Sequence, residues 1–233
     1  GLDEPVYTPR GVIWRKGSIP ATILFLESII ESSQLLDKDY GWCRPFEYLK
    51  YLERCYIGGG IFDHDIVQDR GKVIQVINTS AIALYYINLC SSLGCKDEML
   101  LGESKIITKR ICGAICRDGF WPYLFPSIPQ KWLYFISGFI RIPQRILRLY
   151  NRILGDSSVF FGDSLHQAVA LFYLLKGMKV LGRDDVGALK SANMGWGFLK
   201  DKFGFDKNSG AFDFSWEQLP RQFRYSNFMD TST

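Results

Sequence analysis

The sequence predicts an all-α fold of repeated antiparallel helical hairpins, and three observations predict it. Apolar residues recur at helical rather than alternating spacing over most of the chain. The segments come in pairs, a more apolar one followed by a more mixed one, as inner and outer helices of a layered fold would. Each pair closes on a glycine followed by aromatic residues: Gly58-Gly59-Gly60-Ile61-Phe62-Asp63, then Arg117-Asp118-Gly119-Phe120-Trp121-Pro122-Tyr123, then Ser209-Gly210-Ala211-Phe212-Asp213-Phe214. Punctuation repeated in this way marks a repeat architecture.

Residues 1–17, with Pro5, Pro9, Gly11 and Gly17, read as an irregular or extended lead-in. Ser18 and Pro20 then open a helix over about 19–36, carried by Ile23, Leu24, Leu26, Ile29, Ile30 and Leu36. A second begins near Pro45, carries Phe46, Tyr48, Leu49, Leu52 and Tyr56, and ends at the glycine run, where left-handed backbone is cheap. Asn78-Thr79-Ser80 offer N-caps to a third, which runs through Leu84, Tyr85, Ile87, Leu89 and Leu93 until Gly94 stops it. A mixed helix over about 97–116 follows, with Gly119 as its left-handed stop. Asp163-Ser164 open the next apolar helix, Leu165 to Leu181, which Gly182 ends, and residues 184–202 are its companion.

Residues 131–154 interrupt the repeat. Trp132-Leu133-Tyr134-Phe135-Ile136 and Phe139-Ile140 precede a segment after Pro143, and Arg141, Arg145, Arg148 and Arg152 fall within roughly 60° of one another on a helix. Ile142, Ile146, Leu149, Tyr150 and Ile153 take the rest of the circumference, and no acid occurs in the stretch. A basic amphipathic helix of this kind fits an anionic membrane surface or a protein partner.

Composition bounds the remaining classes. With 233 residues, 47% of them hydrophobic and 15% aromatic, the chain can bury a sizeable core, expected as a single domain over 1–233. A formal charge of +4 on scattered basic residues argues against a nucleic-acid partner. Cys43, Cys55, Cys90, Cys95, Cys112 and Cys116 lack paired zinc-site spacing and are too sparse for a disulfide framework, so reduced, mostly buried thiols are expected, with no metal. Cys112 and Cys116 share a helix face, but no histidine lies near them. Neither a basic n-region followed by an apolar run nor an apolar stretch of about 18 residues is present, which makes the cytoplasm the expected compartment. No phosphate loop or dinucleotide fingerprint occurs, and no cofactor is expected.

The glycine-aromatic turn after each outer helix, best developed at Asp118-Gly119-Phe120-Trp121-Pro122-Tyr123, resembles that of the α/α-toroid superfamily, which includes six-hairpin glycosidases, uronyl-processing enzymes and terpenoid cyclases. The phrase Phe160-Phe161-Gly162-Asp163-Ser164-Leu165-His166-Gln167 is similar to a segment of toroid proteins of bacterial exopolysaccharide biosynthesis, in which an Asp and a His three residues later open an inner helix. The resemblance covers roughly residues 19–216. It implies a partial or complete α/α toroid and a carbohydrate substrate, processed by a hydrolase, lyase or epimerase. Asp63-His64-Asp65, Asp118 with Trp121 and Tyr123, Asp163 with His166, and Asp213 with Trp216 would then share one rim. There Asp63, Asp118, Asp163 and His166 are candidates for acid and base, and His64, Asp65, Trp121, Tyr123 and Trp216 for holding a sugar. Each group also has a plainer role: Asp163 as an N-cap, His64 in a solvated turn, Trp121 and Tyr123 as wedges between helices. A non-catalytic repeat module is therefore the alternative from a different class. Asp184-Asp185 and Asp63-His64-Asp65 fall short of the aspartate-rich motifs of terpenoid cyclases, which leaves prenyl chemistry as an outside alternative.

Overall fold

The computed structural model describes residues 2–8, 11–36, 47–63, 75–95, 98–137, 139, 143, 145–146, 149, 164–182, 185–202, 205–206 and 211–212. Among them lie seven helices: α1 (Ile19–Leu36), α2 (Glu47–Cys55), α3 (Ile77–Ser92), α4 (Glu98–Ala114), α5 (Ile128–Ser137), α6 (Ser164–Val180) and α7 (Val186–Lys202). Three separate antiparallel strand pairs accompany them: β1 (Leu2–Thr8) with β2 (Gly11–Ser18), β3 (Tyr56–Gly58) with β4 (Ile61–Phe62), and β5 (Phe205–Asp206) with β6 (Ala211–Phe212). The mostly helical class is as expected, and the helix starts at 19, 77 and 164 fall close to those read from the sequence. The lead-in is extended rather than irregular: Pro5 does not prevent β1 and β2 from pairing from Leu2↔Ser18 to Thr8↔Gly11 across a bulge between Leu2 and Glu4.

Local signals explain most helix ends. The Ser18 hydroxyl caps α1 by accepting from the Ala21 amide at 3.4 Å. α3 stops in a Schellman motif, with Gly94 at φ 88°, its amide on the Ser91 carbonyl and the Cys95 amide on that of Cys90. α5 opens on a capping box that the sequence reading missed: the Ser127 amide donates to Gln130 Oε1 at 2.7 Å and the Gln130 amide to Ser127 Oγ at 3.4 Å. Two expectations need correction. Asn78-Thr79-Ser80 are not N-caps, because α3 already begins at Ile77 behind Val76, which makes no side-chain cap, and Thr79 and Ser80 are buried inside the helix. Gly119 does not end α4 directly either, since it lies beyond Ala114 in a separate turn.

By its contacts the chain divides into two compact units, residues 1–111 with 173–185 and residues 112–172 with 186–233. In the first, α3 is buried along nearly its whole length, from Ile77 to Cys90, as an inner helix should be. α2 buries only the stripe Tyr48, Leu49, Leu52 and Cys55. α1 contacts α3. It departs from the expected pattern by leaving Leu24 and Leu36 exposed. Buried Asn88 bridges α3 to its neighbours, donating to the Gly177 carbonyl of α6 at 2.9 Å and accepting from Ser104 Oγ of α4 at 2.8 Å. The Lys176 ammonium reaches Glu27 of α1 and, at 3.3 Å, Glu31, while lying 4.7 Å from the centroid of the Tyr85 ring. Desolvation lowers its pKa.

Two of the glycine-aromatic turns are described, and they make matching contacts. In the first unit Gly60 (φ 82°) presses against α4, where an added Cβ would meet Ile107 Cα at 2.9 Å and Ile106 O at 3.0 Å. Two residues on, the Phe62 amide donates to Ser80 Oγ of α3 at 3.2 Å. In the second unit Gly119 (φ 94°) presses against α7, an added Cβ meeting Met194 O at 2.1 Å, and two residues on the Trp121 amide donates to Gln167 Oε1 of α6 at 2.8 Å. Ile106 and Met194 are each the ninth residue of their helices, and Ser80 and Gln167 each the fourth. Each turn therefore docks at one register on the helix pair that follows it, as a tandem repeat requires.

Two glycines of α7 test this docking. Gly195 lies flat under Trp121, where an added Cβ would come within 2.2 Å of the indole, whereas at Gly197 it would meet nothing within 4 Å. Gly195→Ala is expected to cost about 1–3 kcal/mol through overpacking. Gly197→Ala is expected to gain up to about 1 kcal/mol through helix propensity. Urea denaturation of both variants checks the opposite signs.

Candidate functional site

The second unit gathers the candidate site around the turn after α4. The chain reverses tightly there, with the Gly119 amide on the Cys116 carbonyl at 3.0 Å and the Cys116 amide on that of Phe120 at 2.8 Å. Asp118 Oδ1 accepts from the Phe120 amide at 3.2 Å, a short loop of the kind aspartate forms at turns. Buried Gln167 fixes the turn to both following helices. Its side-chain amide donates to the Gly119 carbonyl at 2.8 Å and the Gly195 carbonyl at 3.1 Å, and its oxygen accepts from Trp121. All of its hydrogen-bonding groups are engaged where water is excluded. Phe120 packs between Tyr134 and Phe198, with ring centroids 5.5 and 5.2 Å away, over a core that includes Cys116 and Leu199.

Beside this core a cleft of about 930 Å³ opens between the turn, α5 and α7. Its aromatic wall is Trp132, Tyr134, Phe135 and Phe139, and its cations are Arg117, Lys131 and Lys202, with Asp118 the single acid among the lining residues. Asp118 Oδ2 accepts from the Tyr134 hydroxyl at 2.9 Å. Burial, reinforced by the Asp118 charge, holds the Tyr134 phenol far above its ordinary range, so it remains a donor to that carboxylate. Burial likewise pushes the Cys116 thiol up, with Asp118 adding to the shift and Lys131 opposing it. The thiol is therefore inert as a nucleophile. Arg117 lies 5.1 Å from the centroid of Phe135, and the Lys131 ammonium donates at 2.8 Å to the Gly113 carbonyl in the last turn of α4.

The sequence-derived candidates separate on this geometry. Asp118 lines the cleft. His166 and Tyr123 meet edge to face with ring centroids 4.5 Å apart, and neither lines it. Trp121, expected to stack on a sugar, is corrected to a core wedge: it is 1% exposed, pressed onto Gly195 and held by Gln167. Asp63 belongs to the first unit, buried just after β4, where its amide donates to the Cys55 carbonyl at 2.8 Å. Burial and then the Asp63 charge push the Cys55 thiol up to about 12. Asp163, His64, Asp65, Trp216, Arg141, Arg148 and Arg152 lie outside the described residues, while Arg145 is described and exposed. The sequence reading missed Gln167 as the clamp, and Arg117, Lys131, Tyr134, Phe135 and Lys202 as cleft residues. The capping box Ser127-Ile128-Pro129-Gln130 was the available signal, because it starts α5 early enough to turn Lys131 and Tyr134 toward the α4 turn.

Among the described residues no group of three or more His, Cys, Asp or Glu is placed to hold a metal ion, and no helix is long and apolar enough to cross a membrane. Comparisons with protein-family models, with curated proteins and with solved structures find no match to the chain.

Losing the Gln167 amide would strand the Trp121 amide and the Gly119 carbonyl in the core, at about 1–3 kcal/mol for each unsatisfied group, and would remove an extra bond from the Gly195 carbonyl. Gln167→Leu is expected to be strongly destabilised. Gln167→Glu keeps the acceptor for Trp121 but sets a carboxylate against the Gly119 and Gly195 carbonyls, and is expected to be destabilised as well. Chemical denaturation of both proteins checks this, with stability close to wild type as the contrary result.

Proposed function

We propose that the chain is a helical-hairpin repeat of α/α-toroid type that binds an acidic oligosaccharide or polysaccharide, in the cytoplasm, as part of polysaccharide biosynthesis or processing. The observation that carries this reading is the cleft of the second unit, where aromatic faces stand beside three cations and one carboxylate that is already hydrogen-bonded. Aromatic faces stack on the apolar faces of sugar rings, and Arg117 and Lys131 supply the charge that a uronic carboxylate pairs with. The matched docking of the two turns supports the repeat half of the reading, and the resemblance of the glycine-aromatic turn supports its toroid form. Binding without catalysis is favoured because Asp118 is tied to Phe120 and Tyr134, with His166 outside the cleft lining.

Isothermal titration with an oligomer of hexuronic acid, set against a neutral gluco-oligosaccharide, tests the reading. The acidic oligomer is expected to bind and the neutral one to bind more weakly. Arg117→Gln with Lys131→Gln is expected to lose about tenfold or more in affinity, equivalent to about 1.4 kcal/mol. Equal affinity for both sugars, or none for either, would overturn it.

A second reading, in which the protein is a hydrolase, lyase or epimerase, rests on the His166–Tyr123 pair. A histidine held against a phenol is a candidate to exchange a proton with a sugar carbon or hydroxyl. Under this reading His166→Gln is expected to keep the thermal midpoint and lower turnover of the acidic oligomer by about 100-fold, measured as new reducing ends, unsaturated product or a changed epimer ratio. Full turnover by the variant would remove His166 from the chemistry.

A further inference from the structure

The α5 helix is built inside out. Its inner side is taken by Gln130 and Tyr134, both buried, while Ile128, Trp132, Ile136 and Phe139 are exposed at 75, 61, 43 and 76%. Ile128, Trp132 and Ile136 recur at intervals of four residues, which is one face of a helix, and Phe139 follows in the turn beyond it. Beyond α5, Arg145, Ile146 and Leu149 are helical and exposed, with Ile146 at 53% and Leu149 at 57%. Surface helices normally turn such residues inward, and a run of exposed apolar side chains on one segment marks a docking face.

Charge indicates what the face docks on. Between Asp118 and Asp156 the chain has no acidic residue, and it carries Lys131, Arg141, Arg145, Arg148 and Arg152. A surface of Ile, Leu, Phe and Trp accompanied by a single sign of charge suits the headgroup boundary of an anionic bilayer, where apolar side chains enter the acyl region and cations stay among the phosphates. A sugar offers nothing to Ile128, Ile136, Ile146 and Leu149. We propose that α5, with the exposed Phe139, Arg145, Ile146 and Leu149 that follow it, is an interfacial docking element that holds the second unit on an anionic membrane surface. The inference goes beyond the proposed saccharide ligand. Ile128, Trp132 and Phe139 lie at the cleft as well as on this face, whereas Ile136, Ile146 and Arg145 are not cleft residues, so the two readings can fail separately.

The test is flotation of the full chain with vesicles of phosphatidylcholine containing phosphatidylserine, set against phosphatidylcholine alone. Wild type is expected to float with the anionic vesicles, less so as salt rises, and to stay at the bottom with the neutral ones. Ile136→Asp with Ile146→Asp is expected to lose about tenfold or more in vesicle affinity, and Arg145→Glu several-fold, with thermal midpoints and titration of the acidic oligosaccharide unchanged. Equal flotation of wild type and the double variant, equal flotation with both vesicle types, or no flotation of wild type would each overturn the proposal.

Discussion

The second unit depends on one buried side-chain amide. Gln167 leaves its helix at the fourth residue and bonds at once to the turn before it and the helix after it, satisfying the Trp121 amide and the Gly119 and Gly195 carbonyls. The Trp121 amide and the Gly119 carbonyl lie in an irregular turn where regular structure cannot pair them, and the Gly195 carbonyl is a helix carbonyl accepting an extra bond. The contact is possible because glycine at 119 and 195 lets backbone approach backbone, with Trp121 filling the space that a Cβ would otherwise take. Polar satisfaction and steric access are thus two sides of one arrangement, which also fixes the place of Asp118, and through Asp118 that of Tyr134 and one wall of the cleft.

The first unit solves the same problem with smaller parts. Ser80 replaces Gln167, Phe62 replaces Trp121, and Gly60 meets α4 where Gly119 meets α7. A serine hydroxyl accepts from one amide where the glutamine serves three groups, and Asn88 supplies cross-helix bonding further along α3. Equivalent positions in the two turns are filled by different chemistry: what they share is the register of the contact, and several side chains can meet it.

Much of the fold was legible in the sequence because its signals are local. Gly94 and Gly182 stop helices by a mechanism that depends only on backbone conformation, and α3 reads as an inner helix from its composition alone. The site was less legible because it depends on partners distant in sequence. Trp121 and Tyr123 look alike as exposed-turn aromatics, yet Trp121 is buried because Gly195, far along the chain, leaves room for it. Thr79 and Ser80 look like caps until the amide of Phe62 claims the Ser80 hydroxyl. His166 attracted interest as one of two histidines, while the organising group was its neighbour, an uncharged glutamine of a type that stands out in no motif.

The direction of the docking also orders events in time. The two described turns find their docking helices later in the chain, so a nascent chain makes each of these turns before it makes the helices that cover it. For the first turn the wait is short, since Phe62 and Ser80 are 18 residues apart, while Gly119 and Gln167 are 48 apart, a difference worth roughly 1 kcal/mol in loop closure. On the ribosome, Phe120 can meet Tyr134 once α5 is made, whereas Trp121 waits for α6 and then α7 before Gln167 and Gly195 bury it.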